Sequence, residues 1–345
     1  MTLSESKNQL QAQITMIQIV SSYGVSQSIC AVAKLGIADL LKNGPKHCDE
    51  LAEVTNCHSN SLYRILRALA SLGIFAETEP RYFKLTPLAD CLQDDAPNSV
   101  KAFAMLHVGC YYPVWQNLLY SVQTGNSAFE KLHGMSLSEY HNENPHVGEI
   151  FDRMMTEYSV IQKDAVLAAY DFSSINKLVD VGSGEGGLMA GILQKYPHLN
   201  GVLFDRSEVM ETARHLFQEA KLTNRCEFIG GDFFASIPVE NGDAYLLKNI
   251  IHDWDDRRSI AILQNCYQAM KSDAKLLVLE QVIAPGNERF FGKLMDINML
   301  VMCPGGRERT EAEYRELFKS AGFELTNIVS TQSEISIIEA VPIIN

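Results

Sequence analysis

Apolar positions recur at helical spacing from residue 8 to about 33, with Leu10, Ile14 and Ile17 followed by Val25, Ile29 and Val32. A short helix over 37–42 is predicted to stop at Asn43-Gly44-Pro45. Residues 49–54 read as a helix, 56–60 as a turn, and 61–72 as a second helix closed by Gly73. Residues 74–77 and 81–85 then alternate as a small β-hairpin. Helix, turn, helix and hairpin make a winged helix-turn-helix. From 99 to 169 the pattern stays helical, clearest over 115–122 and 147–158, with an irregular stretch at 125–140 between them.

After Asp171 the period changes. Short apolar runs at 177–181, 201–205, 226–229, 244–248 and 275–280 read as strands, separated by helices over 188–195, 209–220 and 256–270. Thr310-Glu311-Ala312-Glu313 is a capping box opening a last helix. Two strands, 323–329 and 335–340, finish the chain. Strands alternating with helices predict a doubly wound α/β sheet, with ligands at the carboxyl ends of the strands. A length of 345 residues suits two domains. The expected division is 1–98 and 99–345, the latter split into a helical connector over 99–169 and an α/β core over 170–345.

Composition narrows the partners. Apolar residues make up 46% and charged ones 21%, as in ordinary globular chains. With 29 basic against 42 acidic residues the net charge is −13, which argues against nucleic acid or an anionic membrane. The winged helix admits a DNA-binding reading, yet residues 34–92 hold seven basic and seven acidic residues, with only Arg64 and Arg67 on the would-be recognition helix. A DNA reader needs a net-positive face. The apolar stretch 14–20 is broken by Thr15 and Gln18 and looks too short for a signal or a membrane span. Eight scattered cysteines without a CxxC pair read as reduced thiols. A cytoplasmic protein is expected.

Candidate chemistry gathers at strand ends. Val179-Asp180-Val181-Gly182-Ser183-Gly184-Glu185-Gly186-Gly187 is a glycine-rich strand-to-helix turn, able to bring backbone amides close to a ligand. It fits both a dinucleotide fingerprint and an S-adenosylmethionine (SAM) loop. Asp205, 23 residues after Gly182, suits a ribose diol in either case. A terminal pair of strands favours the SAM reading over a nicotinamide domain. Gly230-Gly231-Asp232-Phe233-Phe234 offers a carboxylate for an adenine amine and an aromatic face for the ring. His252, in Lys248-Asn249-Ile250-Ile251-His252-Asp253-Trp254-Asp255-Asp256, follows the fourth strand at the active edge. Its acidic neighbours are read as a helix cap at Asp255 or Asp256 rather than as metal ligands, so no metal is expected. Glu280 and Glu308 are candidates to reach the same centre. The alternatives are a strand-end surface acid for Glu280 and, for Glu308, a surface ion pair with Arg307 or Arg309.

Assembled, these residues resemble the small-molecule O-methyltransferases that include the plant caffeate and isoflavone enzymes and bacterial tailoring enzymes. The resemblance runs over nearly the whole chain and is most specific at 179–186, 230–233, 247–256 and 305–310. It implies a Rossmann-like class I SAM methyltransferase domain with an N-terminal winged-helix dimerisation domain, hence a homodimer. It implies SAM contacts at Gly182, Asp205, Asp232, Phe233 and Lys248. It makes His252 the base, flanked by Glu280 and Glu308, and sets Phe151, Met155, Ser159, Asp253, Met299 and Met302 around the substrate or methyl donor. The chain departs at Asp205-Arg206-Ser207, where the family usually has Asp-Leu-Pro, and at Ser183, where glycine is common. The expected reaction is methyl transfer to a hydroxyl of a small aromatic or polyketide-like molecule. Competing readings are a metabolite-sensing DNA-binding regulator, a nicotinamide-dependent oxidoreductase, and a relative that methylates nitrogen or carbon.

Overall fold

Seven strands form one sheet, ordered Phe323–Ser330, Ser336–Pro342, Lys275–Glu280, Ala244–Lys248, Lys177–Val181, Asn200–Asp205 and Cys226–Gly230. The last five in that order pair in parallel, while Ser336–Pro342 runs antiparallel to both of its neighbours. Successive side chains point to opposite faces and both faces are covered, so the central parallel strands read as near-continuous apolar runs. Leu178, Leu203, Leu246 and Leu277 enter one core, with Phe172, Leu188, Ile192 and Phe217. Their chain neighbours Val179, Phe204, Leu247 and Val278 enter the other, with Ile262, Tyr314 and Phe318. Every one of these is at most 2% exposed. Such a sheet holds its strand ends in fixed register, which is what a catalytic constellation needs.

The computed structural model describes residues 3–288 and 290–344. These pack as two units: residues up to Pro113 with Asn144–Glu157, and Val114–Glu143 with residues from Tyr158 onward. Parts of the 99–169 connector therefore fall in each.

In the N-terminal unit, helices Cys48–Val54 and Ser59–Ala70 precede the hairpin Phe75–Glu79 and Tyr82–Leu85. A two-residue strand, Lys46–His47, joins the hairpin as a third member. Leu51, Leu62, Leu66, Phe75 and Phe83 form the core beneath. The helix expected over 8–33 is two, Leu3–Ser21 and Tyr23–Lys34. At the break, the Ser22 hydroxyl donates to the Ile19 carbonyl at 2.7 Å, drawing the backbone out of the helical ladder. Taken through the break, Asn8–Lys34 is long and apolar enough to cross a membrane by length and composition, a test that the core helix of a soluble protein also passes. Leu10 (58%), Ile17 (65%) and Val20 (66%) lie exposed on this stretch.

Three further expectations change. The helix expected over 115–122 is Tyr112–Trp115 and Leu118–Thr124, and 147–158 lies in the first half of a 25-residue helix, Pro145–Ala169. The stretch read as irregular holds helices Ala128–His133 and Leu137–Glu143. Helix Ala128–His133 is capped by the Ser127 hydroxyl, which also donates to the Val301 carbonyl at 3.0 Å, so its support comes from far along the chain. Helix Gly292–Met302, not foreseen, supplies that support.

Candidate active site

The site grows from five parallel strand ends. Past Val181 the backbone turns through Gly182 (φ 71°) and Gly184 (φ 55°), both in the left-handed region that glycine tolerates. A Cβ on Gly182 would lie 2.4 Å from Ile250 Cδ1, whereas one on Gly184 would meet nothing within 4 Å. The turn is closed toward the sheet and open at Gly184, a cradle a side chain would fill. Asp205, ending the next strand, accepts from Gly184 N at 2.9 Å and Arg206 N at 2.7 Å. Its carboxylate thus anchors the turn. Asp232 is exposed and accepts from Phe234 N at 2.8 Å. Phe233 and Phe234 meet edge to face at 5.0 Å, and Phe234 stands 4.9 Å from Trp254, closer than the 6.4 Å of Phe233. Phe234 therefore packs more closely on Trp254 than Phe233 does, and both lie against the core.

The fourth strand ends at Lys248, and Asn249 takes φ 55° to swing the chain across the sheet edge. The next three amides, of Ile250, Ile251 and His252, donate to one oxygen of Glu280 at 3.0, 2.9 and 3.3 Å. Glu280 ends the neighbouring strand and is fully buried, so it is a seat for the loop and not a surface acid. Its other oxygen faces His252 Nδ1 at 3.5 Å, and Glu308 approaches the same nitrogen at 2.9 Å. A carboxylate can only accept, so Nδ1 carries the proton and Nε2 is left for chemistry. Nε2 has Asp253 3.6 Å away, and the His252 side chain is 16% exposed.

Glu308 is not the surface ion pair weighed as its alternative. Arg307 pairs with Glu313, and the buried Arg309 binds Asp256 at 2.8 Å and the Ile251 and Trp254 carbonyls at 3.1 and 2.9 Å. Arg309 thereby ties the His252 loop to the segment that carries Glu308. Sequence reasoning missed it, although its place beside Glu308 was a signal. Asp296 also went unread; it accepts from Glu308 N at 2.9 Å. Asp255 caps the helix Asp256–Ala269, as one of the two expected candidates. Ser159 is half-buried on helix Pro145–Ala169. Met299 and Met302 are buried on helix Gly292–Met302, whose end brings Cys303 to 3.9 Å from Asp253. Phe151 and Met155 belong to the N-terminal unit.

Burial disfavours a charged His252, but the carboxylates of Glu280 and Glu308 outweigh it and push the ring up to about 10. Burial, with help from Glu308, lifts Glu280 to about 7 against the pull of His252. Burial also raises Asp180 to about 7, opposed by Lys248, and lowers Lys248, opposed by Asp180 and Glu280. His252, Glu280 and Glu308 each bring a donor atom within 4.8 Å of the others, a grouping that resembles a metal cage. The donor set argues for another use. Both acids address one ring nitrogen, and Glu280 already accepts three backbone amides, which a cation would have to displace. The glycine cradle, Asp205 and the buried, unpartnered Asp180 Oδ1 fit a nucleoside carrying a polar tail, as SAM does.

Comparison with known proteins agrees. Residues 115–324 match the O-methyltransferase domain family, and 17–95 match the O-methyltransferase dimerisation domain. The phenazine O-methyltransferase PhzM of Lysobacter antibioticus is 43% identical, over 95% of this chain and 96% of the relative. The crystal structure of LaPhzM superposes with a TM-score of 0.89 at 42% identity, covering 96% of this chain and 99% of that one. CalO1, a methyltransferase of calicheamicin biosynthesis solved with S-adenosylhomocysteine, gives a TM-score of 0.88 at 31% identity, covering 96% and 98%. These matches set aside the nicotinamide reading, and the chain belongs to the O-methyltransferase family as a SAM-dependent O-methyltransferase with a family dimerisation domain.

Proposed function

We propose that this enzyme methylates a hydroxyl of a small aromatic or polyketide-like molecule, with His252 as the general base. The observation that carries the reading is the geometry at His252, where Glu308 holds Nδ1 at 2.9 Å and Nε2, with Asp253 3.6 Å away, is the ring nitrogen left to meet an acceptor hydroxyl. A relative that acts on phenazines at 43% identity supports an aromatic acceptor. When bound, SAM supplies a methyl group on a sulfonium, open to direct displacement by oxygen. The chain's own task is to make that oxygen nucleophilic and to aim it. His252 Nε2 takes the hydroxyl proton, while Glu280 and Glu308 fix the ring and stabilise the imidazolium that forms. Asp253, Met299, Met302 and Ser159 are proposed to shape the acceptor site. Mass spectrometry of reactions with labelled SAM and a panel of phenols, amines and carbon acceptors tests the class. Turnover of amines or carbon acceptors alone would refute hydroxyl methylation.

Gly182, Asp205, Asp232, Phe233 and Lys248 are proposed to hold the cofactor without a metal. Calorimetry should show S-adenosylhomocysteine binding that survives EDTA. Asp205→Ala should weaken it by roughly 10–100-fold, through a lost charged hydrogen bond and a loosened glycine turn. Binding abolished by EDTA would restore the metal reading of the His252 cluster.

We also propose a homodimer built through the N-terminal helices. Leu10, Met16, Ile17, Ile19 and Val20 leave an apolar surface on the first helix that a second copy would cover. Light scattering should report twice the chain mass at micromolar concentration, and deletion of residues 1–33 should give monomers. A wild-type monomer under those conditions would overturn the proposal.

A further inference from the structure

Gln162 sits on the second half of helix Pro145–Ala169, only 1% exposed. Its Oε1 accepts from Lys248 Nζ at 3.3 Å and from Asn249 Nδ2 at 3.1 Å. Both groups at that end are donors, which fixes the orientation of the amide: oxygen toward them, nitrogen away. The nitrogen, Nε2, is then buried with no hydrogen bond of normal geometry, although it comes close enough to the Tyr158 hydroxyl, one helical turn earlier, to favour that group's charged form. A buried amide donor left unmade is costly, so the arrangement is incomplete without an acceptor. One strand over lies the opposite deficit. Asp180, two residues before Gly182 on a strand paired in parallel with Ala244–Lys248, is buried with Oδ1 unpartnered.

An orphan donor beside an ammonium calls for an anion, and an orphan carboxylate oxygen calls for a cation. A zwitterionic amino-acid group satisfies both. Resting on the assignment of SAM as cofactor, we propose that Gln162 is a positioning residue for the cofactor's amino-acid end, steering Lys248 with its oxygen and donating from Nε2 to the α-carboxylate. Asp180 then faces the α-ammonium. Lys248 alone would hold a carboxylate as a point charge; the planar amide adds a direction.

The test compares two ligands that differ only at that end. S-adenosylhomocysteine carries the amino-acid group, and 5′-methylthioadenosine has the same nucleoside and thioether without it. Gln162→Met should weaken S-adenosylhomocysteine in calorimetry by roughly 10–100-fold, the loss of one hydrogen bond to a charged group. Its affinity for 5′-methylthioadenosine should stay as in the wild type. Gln162→Glu keeps an oxygen for Lys248 and Asn249 but sets a carboxylate against the ligand's, so it should weaken S-adenosylhomocysteine at least as much, again sparing the truncated ligand. Equal losses for both ligands would mean a merely structural residue and overturn the proposal, as would wild-type affinity for S-adenosylhomocysteine in either variant. A wild-type enzyme that binds neither ligand would overturn the cofactor assignment itself.

Discussion

His252→Ala is expected to lower kcat by roughly 10²–10⁴-fold, the range a positioned base contributes, with S-adenosylhomocysteine affinity nearly unchanged. The structure adds a pH signature to this expectation. An ordinary imidazole titrates near 6.5, but two carboxylates on one nitrogen push His252 up to about 10. In the free enzyme at neutral pH the ring is therefore held as imidazolium, and a base must first shed that proton. The sign follows: kcat/KM should climb as pH rises toward 10, by up to about tenfold per unit. A phenol acceptor ionises in the same region, so the limb needs assigning. Glu308→Gln assigns it, because removing one of the two charges should move the limb to lower pH, whereas ionisation of the acceptor would stay in place. Near-normal turnover of His252→Ala across pH 6–9 would refute the base, whereas a wild-type profile already level at pH 7 would mean that the ring titrates as an ordinary imidazole.

Much of this was legible in the sequence, for a physical reason. Strands buried on both faces carry uninterrupted apolar runs, and 244–248 and 275–280 were read to the residue. Local hydrogen-bond chemistry was equally plain: the Thr310–Glu313 capping box is present with both of its bonds. What stayed hidden depends on partners distant in the chain. Helix Ala128–His133 leans on carbonyls 174 and 175 residues away. Gln162 means nothing until folding sets it beside Lys248, 86 residues on. The triad of His252, Glu280 and Glu308 could be named from strand ends, but the convergence of both acids on Nδ1 is a three-dimensional fact. That convergence is what moves the ring's titration from the assumed 6.5 to about 10.

Glu280→Ala is expected to be the most damaging change to stability, costing about 3–5 kcal/mol in denaturant unfolding. One Glu280 oxygen accepts the amides of Ile250, Ile251 and His252, and alanine would strand all three in a buried setting. It would also leave a buried imidazolium with one fewer counter-charge. Glu280→Gln separates the two roles, since its amide oxygen can still seat the loop while the charge is gone; it should cost much less. The two also differ in pH dependence. Glu280 is raised from 4.5 to about 7 on folding. A raised value means the folded state prefers the protonated acid, so its stabilising contribution is full below 4.5 and lost as pH rises through about 7. His252, raised as well, adds a loss in the same direction between 6.5 and about 10. Wild-type stability should thus fall relative to Glu280→Gln as pH goes from 4.5 to 7, because Asp180, also raised to about 7, is present in both proteins and cancels in the comparison. Equal pH dependence of the two proteins across that window would show that Glu280 is ionised throughout, and the seat of the His252 loop would then be a permanent carboxylate.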